Sequence, residues 1–228
     1  MKRRDWTMVL VGLACGIGWS VAAAAGAAES SWHSLIEEHG APAWRGWKSE
    51  GFPAGWQVEG GVLSKETNAE DLVTTQEYGN FELELEWKIG KGGNSGIFYR
   101  ATREYDHVYW SGPEYQLLDD EFAPDGRNRL TAAASDFALY GSPAGVVKPH
   151  DEWNKTRIVV SGNRVEHWLN GRKVVAYELK SEEWKTKVTA SKFNDYKGYG
   201  MAARGLIGIQ GDHDGTLAIR HARIRELP

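Results

Sequence analysis

Apolar and polar residues alternate along much of this 228-residue chain, which is the pattern of half-buried β-strands. The run over residues 81–87 is the clearest case, with four apolar side chains on one face and three glutamates on the other. Further runs are separated by Gly, Asn and Asp, which favour turns. Strands are predicted at residues 56–59, 62–64, 81–87, 96–101, 114–118, 156–161, 165–169, 173–178, 205–210 and 217–225.

Helical periodicity is almost absent, and one short helix is predicted near residues 31–38. The Gly-Gly pair at 60–61 marks a hairpin between the first two predicted strands. The strand-rich part contains no linker, repeat or low-complexity stretch. We therefore predict an all-β protein, an antiparallel jelly-roll sandwich that occupies residues 29–228 as a single domain.

The first 28 residues have a different pattern. Three basic residues at positions 2–4 precede an apolar run over 8–21 and an alanine-rich tract over 22–28. This order is typical of a secretory signal peptide, and the run is too short and too rich in Gly and Ala for a membrane span. We predict a signal peptide over residues 1–28, a periplasmic or secreted mature protein, and no membrane association after cleavage.

Composition narrows the class of protein. Cys15, the only cysteine, lies in the predicted signal peptide, so the mature chain has no disulfide. The formal charge is −4, which argues against a nucleic-acid partner because such a surface needs an excess of basic residues. The 27 glycines suit short strands and tight turns, and the 11 tryptophans favour sugar binding through aromatic stacking.

Seven strings then follow one another in a fixed order: FELELEW from residue 81, GNSGIFYR from 93, GPEYQLLD from 112, ALYG from 138, WN from 153, GNRVEHWLNG from 162 and GIQGDH from 208. Together they resemble the 3-keto-disaccharide hydrolase family over about residues 31–227. The resemblance implies a concanavalin A-like jelly roll, export in many members, and action on glycosides that carry a ketone at sugar carbon 3.

The implied substrate determines which catalytic groups are needed. A ketone at carbon 3 acidifies the hydrogen on carbon 2, so a base can form an enolate that expels the substituent on carbon 1. Addition of water to the resulting double bond completes a net hydrolysis. The site needs a base at carbon 2, an acid at the leaving oxygen, and a positive or hydrogen-bonding group at the carbon 3 oxygen.

Glu114 is the predicted base. Alternation places Tyr115 and Leu117 toward the core and Glu114 on the opposite face, and the same reasoning on the neighbouring run places Arg100 beside it. A surface salt bridge between Arg100 and Glu114 is the structural alternative.

Three further residues are predicted to be catalytic. His167 is a candidate acid, although it shares a strand face with two aliphatic residues and could be a packed core histidine. Lys192 is a candidate cation for the carbon 3 oxygen. Asp119 follows the Glu114 strand and could orient a partner or bind a metal. The predicted substrate-binding residues are Asn94, Arg100, Trp110, Gln116, Gln210 and His213, with Trp110 as the sugar-stacking platform and His213 as an alternative acid or base.

The sequence requires no cofactor, and a divalent metal stays an open alternative. His107, His167, His213 and Asp119 could converge, but no HxH or HxxxH spacing presets a pair of ligands. The predicted partner is a small oxidised sugar, with a functional link to a sugar 3-dehydrogenase that makes the ketone.

Two other functions fit the same residues. A non-catalytic, lectin-like carbohydrate-binding module could use the same fold. Glu82, Glu84 and Glu86 could instead act as paired carboxylates of a glucanase-like hydrolase, because same-face residues two apart in a strand lie about 6–7 Å from each other.

Overall fold

The computed structural model describes residue 1 and residues 31–228. Apart from residue 1, the predicted signal peptide over 1–28 lies outside the described residues, as does the predicted start of the mature chain. Within the described part, no helix is long and apolar enough to cross a membrane.

The described residues form two antiparallel sheets and one α-helix, α1 (Glu182–Thr189). The strands are β1 (His33–Ser34), β2 (Trp44–Gly46), β3 (Trp56–Glu59), β4 (Val62–Lys65), β5 (Leu72–Tyr78), β6 (Phe81–Ile89), β7 (Asn94–Ala101), β8 (Glu114–Leu118), β9 (Asn154–Ser161), β10 (Arg164–Leu169), β11 (Arg172–Glu178), β12 (Gly205–Ile209) and β13 (Leu217–Glu226). The large sheet has the order β11-β10-β9-β6-β13-β4-β3, with β1 beside β13, and the small sheet has the order β2-β5-β12-β7-β8. The predicted all-β, antiparallel sandwich is confirmed.

The main core lies between the two sheets. The apolar face of β6 supplies Phe81 and Trp87, which are fully buried, and β7 and β8 supply Ile97, Tyr99 and Tyr115 from the other side. Full burial of an apolar side chain contributes roughly 1.5–3 kcal/mol. The alternation that predicted these strands therefore reflects the burial of one face of each sheet.

Several local predictions were incomplete or wrong, and the short strand β2 was not predicted. The helix expected near 31–38 is instead the short strand β1, because the backbone there pairs with β13 and Leu35 N donates to Ala222 O at 2.8 Å. Helix α1 was not predicted, since Trp184 is its only buried residue and gives no clear periodicity. Strand β5 was missed because both of its faces begin with buried apolar residues, which hides the alternation.

The outer face of the small sheet is divided into two halves. One half is covered by a second apolar cluster in which Val108, from the segment that follows β7, packs with Trp47 and Phe98. The other half, where β7, β8 and the end of β12 run side by side, stays open between loops. The open half contains the candidate site.

Candidate active site

A pocket of about 280 Å³ opens on the uncovered half of the small sheet. Its lining combines residues of β7 and β8 with residues of the segments that connect the strands. The lining residues are Asn94, Tyr109, Glu114, Gln116, Asp125, Phe137, Lys192, Gln210, Asp212 and His213. Six of these, Asn94, Glu114, Gln116, Lys192, Gln210 and His213, were predicted from the sequence.

Glu114 is the central acid of this pocket. It begins β8 and pairs with Phe98 of β7, and its carboxylate lies over the backbone of Gly96, where a Cβ would overlap it. Glycine at position 96 therefore makes the space that the carboxylate occupies. Only 7% of Glu114 is exposed.

Burial gives the Glu114 carboxyl an unusual proton affinity. Removal from water raises its pKa to about 8, and the positive charge of Lys192 opposes this shift. A carboxyl group with a pKa close to neutrality can both accept and return a proton during turnover, as a general base must.

Side-chain amides line the same pocket as this carboxylate. Gln116 Nε2 donates to Asn94 Oδ1 at 3.0 Å, and Asn94 Nδ2 contacts Asp125 Oδ2 at 3.4 Å. The buried Oε1 atoms of Gln116 and Gln210 have no hydrogen-bond partner among the described residues. Because an unpaired buried acceptor costs free energy, these two atoms are suited to accept hydrogen bonds from a bound hydroxyl-rich ligand.

Lys192 brings a positive charge to the pocket wall. It starts a 3₁₀ turn, Lys192–Asp195, whose N-cap Ser191 accepts a hydrogen bond from Phe193 N. The Lys192 ammonium lies 4.4 Å from the ring centre of Phe137 and 5.9 Å from that of Tyr109. The exposed lysine is thus held by aromatic faces over the pocket.

His213 and Asp212 reach the rim from the loop over residues 211–215 that follows β12. His213 Nε2 lies 3.9 Å from Asp212 Oδ1, and both side chains are about half exposed, at 44% and 51%. An imidazole beside a carboxylate at a pocket rim can exchange protons with both solvent and ligand.

The structure does not place His167 in the pocket. His167 is fully buried in the core, where its Nε2 lies 3.0 Å from Tyr99 Oη and its Nδ1 lies 3.0 Å from Ala134 O. Burial lowers its pKa to about 4. The side chain therefore has the geometry of the packed core histidine that the sequence left as an alternative.

Arg100 also lies away from the pocket, and the expectation that it shares a face with Glu114 is wrong. Its backbone φ of 53° breaks the alternation of β7. The guanidinium instead donates to Gly79 O at 2.8 Å and to Gly162 O at 2.8 Å, so it bonds two turns at one end of the sandwich. The alternative salt bridge between Arg100 and Glu114 is not formed either.

Asp119 and Trp110 lie close to the pocket but do not line it. Asp119 accepts hydrogen bonds from Gly92 N at 2.7 Å and from Glu121 N at 3.2 Å, and it faces a different groove. The Trp110 ring stacks on Tyr196, with centroids 5.5 Å apart. The aromatic wall is formed by Tyr109 and Phe137.

Four lining residues were not predicted: Tyr109, Asp125, Phe137 and Asp212. All four lie outside the strands, where alternation carries no information. Phe137 reaches the pocket because its backbone N–H donates to Glu114 O at 3.0 Å and so continues the edge of the small sheet beyond β8. Of the four, Asp212 could have been found from the sequence, because it lies in the family string GIQGDH together with Gln210 and His213.

Metal binding has no evident site in residues 31–228. No group of three or more His, Cys, Asp or Glu side chains in this range is arranged to hold a metal ion. Of the four residues considered for convergence, His213 lies at the pocket rim, His167 in the core and Asp119 in a different groove, while His107 packs against Tyr109 with ring centroids 5.0 Å apart.

An antiparallel sandwich with a buried carboxylate on one outer sheet face places this chain among the concanavalin A-like jelly rolls, a fold shared by enzymes and binding modules. A Bacillus licheniformis β-glucanase has the same architecture, with a TM-score of 0.51 and 9% identity over 87% of this chain and 98% of that one. That likeness shows the fold alone.

The chain belongs to the 3-keto-alpha-glucoside-1,2-lyase-like domain family, whose model matches residues 31–225. It is 33% identical over 216 residues to a 3-keto-disaccharide hydrolase of Bacteroides thetaiotaomicron, across 81% of this chain and 74% of the relative. A crystal structure from Parabacteroides distasonis, provisionally classed as a glycosyl hydrolase, superposes with a TM-score of 0.80 and 30% identity over 86% of this chain and 94% of that one. The predicted family and the predicted hydrolase class are confirmed.

Proposed function

We propose that this protein hydrolyses 3-keto disaccharides in the pocket on the small sheet. The observation that carries the proposal is Glu114, a buried carboxylate over Gly96 whose pKa is raised to about 8, in a family that includes a 3-keto-disaccharide hydrolase. A carbohydrate substrate also suits the unpaired amide oxygens and the aromatic wall, because sugars combine hydroxyl edges with apolar ring faces.

Glu114 is the proposed base at sugar carbon 2. Its ionised carboxylate takes the proton from carbon 2, and the two electrons of that C–H bond form the enolate between carbons 2 and 3. Lys192 stabilises the negative charge that develops on the carbon 3 oxygen. The raised pKa of Glu114 strengthens it as a base while leaving part of it ionised at neutral pH.

His213 is the proposed acid, in place of the buried His167. The enolate electrons re-form the ketone, a double bond forms between carbons 1 and 2, and the bond from carbon 1 to the leaving oxygen breaks. His213 protonates that oxygen from the pocket rim, where its imidazole is in contact with solvent and can also reach the leaving group. Water then adds its oxygen to carbon 1, protonated Glu114 returns a proton to carbon 2, and the water's own proton restores His213.

Sugar binding is assigned to the groups on the floor and wall. Gln116 and Gln210 accept hydrogen bonds from hydroxyls, and Asn94 is held in place by Gln116. Tyr109 and Phe137 contact the apolar ring face.

Export and metabolic context complete the proposal. The signal-peptide pattern over residues 1–28 supports delivery to the periplasm or the exterior. The ketone at carbon 3 has to be made by a sugar 3-dehydrogenase, since the proposed reaction consumes this ketone-bearing sugar but performs no oxidation.

The test compares 3-keto-trehalose with unoxidised trehalose, using the mature protein. We expect release of glucose and 3-keto-glucose from the oxidised sugar only, with incorporation of solvent deuterium at carbon 2. Accumulation of an enone that absorbs in the ultraviolet would indicate a lyase that stops before hydration. Binding of the keto sugar without turnover would contradict the proposal and favour a lectin-like module, and cleavage of trehalose itself would favour the paired-carboxylate mechanism.

A further inference from the structure

Lys65 does not line the pocket, yet it is buried, which is unusual for a lysine. It ends β4, and only 2% of the residue is exposed. Lysine is almost never fully buried unless its charge has partners. A buried ammonium group therefore indicates that something nearby depends on it.

The partners of this ammonium are backbone carbonyls. Lys65 Nζ donates to His213 O at 2.5 Å, to Gly215 O at 3.2 Å and to Thr67 O at 3.4 Å. An ammonium group has three donors, and three carbonyl oxygens satisfy them. Two of the three belong to the loop over residues 211–215, which carries His213 and Asp212 to the pocket rim.

The first half of that loop is held by other groups. Asp71 Oδ1 accepts a hydrogen bond from Gly211 N at 2.7 Å, and Asn68 Nδ2 donates to Asp212 O at 2.8 Å. These contacts fix residues 211 and 212. The second half is held by the ammonium of Lys65, which bonds the carbonyls of His213 and Gly215, and by Asn68 N, which donates to Asp214 Oδ1 at 3.3 Å.

Charge makes the ammonium hard to replace. Asp71, Asp212 and Asp214 all act on Lys65 electrostatically, so the loop gathers negative charge around this buried cation. A methionine at position 65 would keep most of the side-chain volume but would leave both carbonyls without their donor and the carboxylates without a counter-charge.

We propose that Lys65 is a positioning residue, whose buried ammonium ties the carbonyls of His213 and Gly215 and so holds the His213 imidazole at the pocket. This proposal rests on the proposed function only for its effect on the reaction rate. It makes Lys65 necessary for the rate of the reaction although it does not touch the sugar.

The experiment compares Lys65→Met with Lys173→Met, a control that removes an exposed lysine from β11, the strand at the far edge of the large sheet. The first readout is the imidazole NMR signal of His213, assigned with His213→Gln. We expect Lys65→Met to shift and broaden this signal while Lys173→Met leaves it unchanged. The second readout is kcat for 3-keto-trehalose, which we expect to fall about tenfold or more in Lys65→Met because a misplaced group loses catalytic geometry.

The NMR signal separates this inference from the proposed function, because it needs no turnover. An unchanged His213 signal in a folded Lys65→Met variant would overturn the inference, whatever the activity. If that variant does not fold, the wild-type protein decides the matter. Scalar couplings across the hydrogen bonds from Lys65 Nζ to the carbonyl carbons of His213 and Gly215 are expected, and a rapidly exchanging, uncoupled ammonium would refute it.

Discussion

Glutamates lie on the outer faces of both sheets, and the two sets differ in what lies beside them. On the large sheet, Glu82 of β6 accepts hydrogen bonds from Arg157 and from Arg225. On the small sheet, Glu114 has Phe98 as its cross-strand partner and a glycine beneath its carboxylate. Glu82 thus forms ion pairs with two arginines, whereas Glu114 forms no ion pair with any described residue.

The surroundings drive the two proton affinities in opposite directions. Burial alone would raise the pKa of Glu82, but the hydrogen bonds from Arg225 and Arg157 lower it below its ordinary value. Burial without such partners raises the pKa of Glu114 to about 8. A carboxylate on the outer face of a sheet is thus suited to act as a base when no arginine lies beside it to lower its pKa.

The same comparison weakens the paired-carboxylate alternative. Glu84 is bonded to Arg223 at 2.7 Å and Glu86 to Arg220 at 2.8 Å, and a groove of about 460 Å³ lies beside them. This groove is larger than the pocket at Glu114, but its carboxylates are neutralised by arginines. We therefore place the chemistry in the smaller pocket.

The largest expected effect is on the rate of the reaction, and it distinguishes the outer face of the small sheet from that of the large sheet. Glu114→Gln removes the proposed base and is expected to lower kcat for 3-keto-trehalose by about 100- to 10,000-fold, with the fold retained. The matched control is Glu86→Gln, which removes a carboxylate from the outer face of the large sheet. A loss of activity in Glu86→Gln equal to that in Glu114→Gln would contradict the assignment of the reaction to the small sheet alone.

A second prediction concerns the space that the base occupies. A Cβ at position 96 would overlap the Glu114 carboxylate, so Gly96→Ala is expected to displace it and to lower kcat by about 10- to 100-fold. Gly51→Ala is the control, because no atom lies within 4 Å of a Cβ added there. Steady-state kinetics of both variants, with circular dichroism to check folding, measure the difference. Wild-type kinetics in Gly96→Ala would contradict the assigned geometry.

A third prediction uses the pH dependence of the rate. Glu114 must be ionised to act as a base, so in His213→Gln, which lacks the proposed acid, kcat/KM is expected to rise about tenfold per pH unit and to level off near pH 8. A profile that is already flat at pH 6 would show that the essential base is not a carboxyl with a raised pKa.

Stability should change with pH in the opposite sense. The folded pKa of Glu114, about 8, lies above its ordinary value of 4.5, so the folded state binds the extra proton between these values. The wild-type protein therefore loses stability as pH rises from 4.5 through 8, and Glu114→Gln removes this contribution. The melting temperature of the variant is expected to exceed that of the wild type by more at pH 8 than at pH 5.

A smaller effect is expected on the large sheet, and on stability alone. Glu82→Gln leaves Arg157 and Arg225 without their charged partner and is expected to lower the free energy of unfolding by about 1–3 kcal/mol. The rate per folded molecule should not change. Denaturant unfolding measures the first quantity and kinetics at low temperature the second; a lowered kcat would show that the two faces are coupled.

Part of this picture could be read from the sequence. Alternation placed Glu114 and Gln116 on the face opposite Tyr115. In the structure, Glu114 and Gln116 line the pocket, and Tyr115 lies in the core. Alternation also placed His167 beside Val165, which is the core position that it occupies.

The remainder depends on features that alternation does not encode. Arg100 leaves the expected face because a positive φ turns the chain at its position. Tyr109 and Phe137 reach the pocket from segments outside the strands, where only tertiary pairing fixes the path of the backbone. Whether a glutamate has an arginine beside it depends on strand order and register, which bring together residues as distant as Glu82 and Arg225.

The most direct test of the central claim is an NMR titration of the glutamate side-chain carboxyl carbons in ¹³C-labelled protein, with Glu114→Gln and Glu82→Gln used for assignment. We expect Glu114 to titrate with a pKa of about 8 and Glu82 to titrate below 4.5 in the same sample. Titration of Glu114 near 4.5, like an ordinary glutamate, would contradict this expectation.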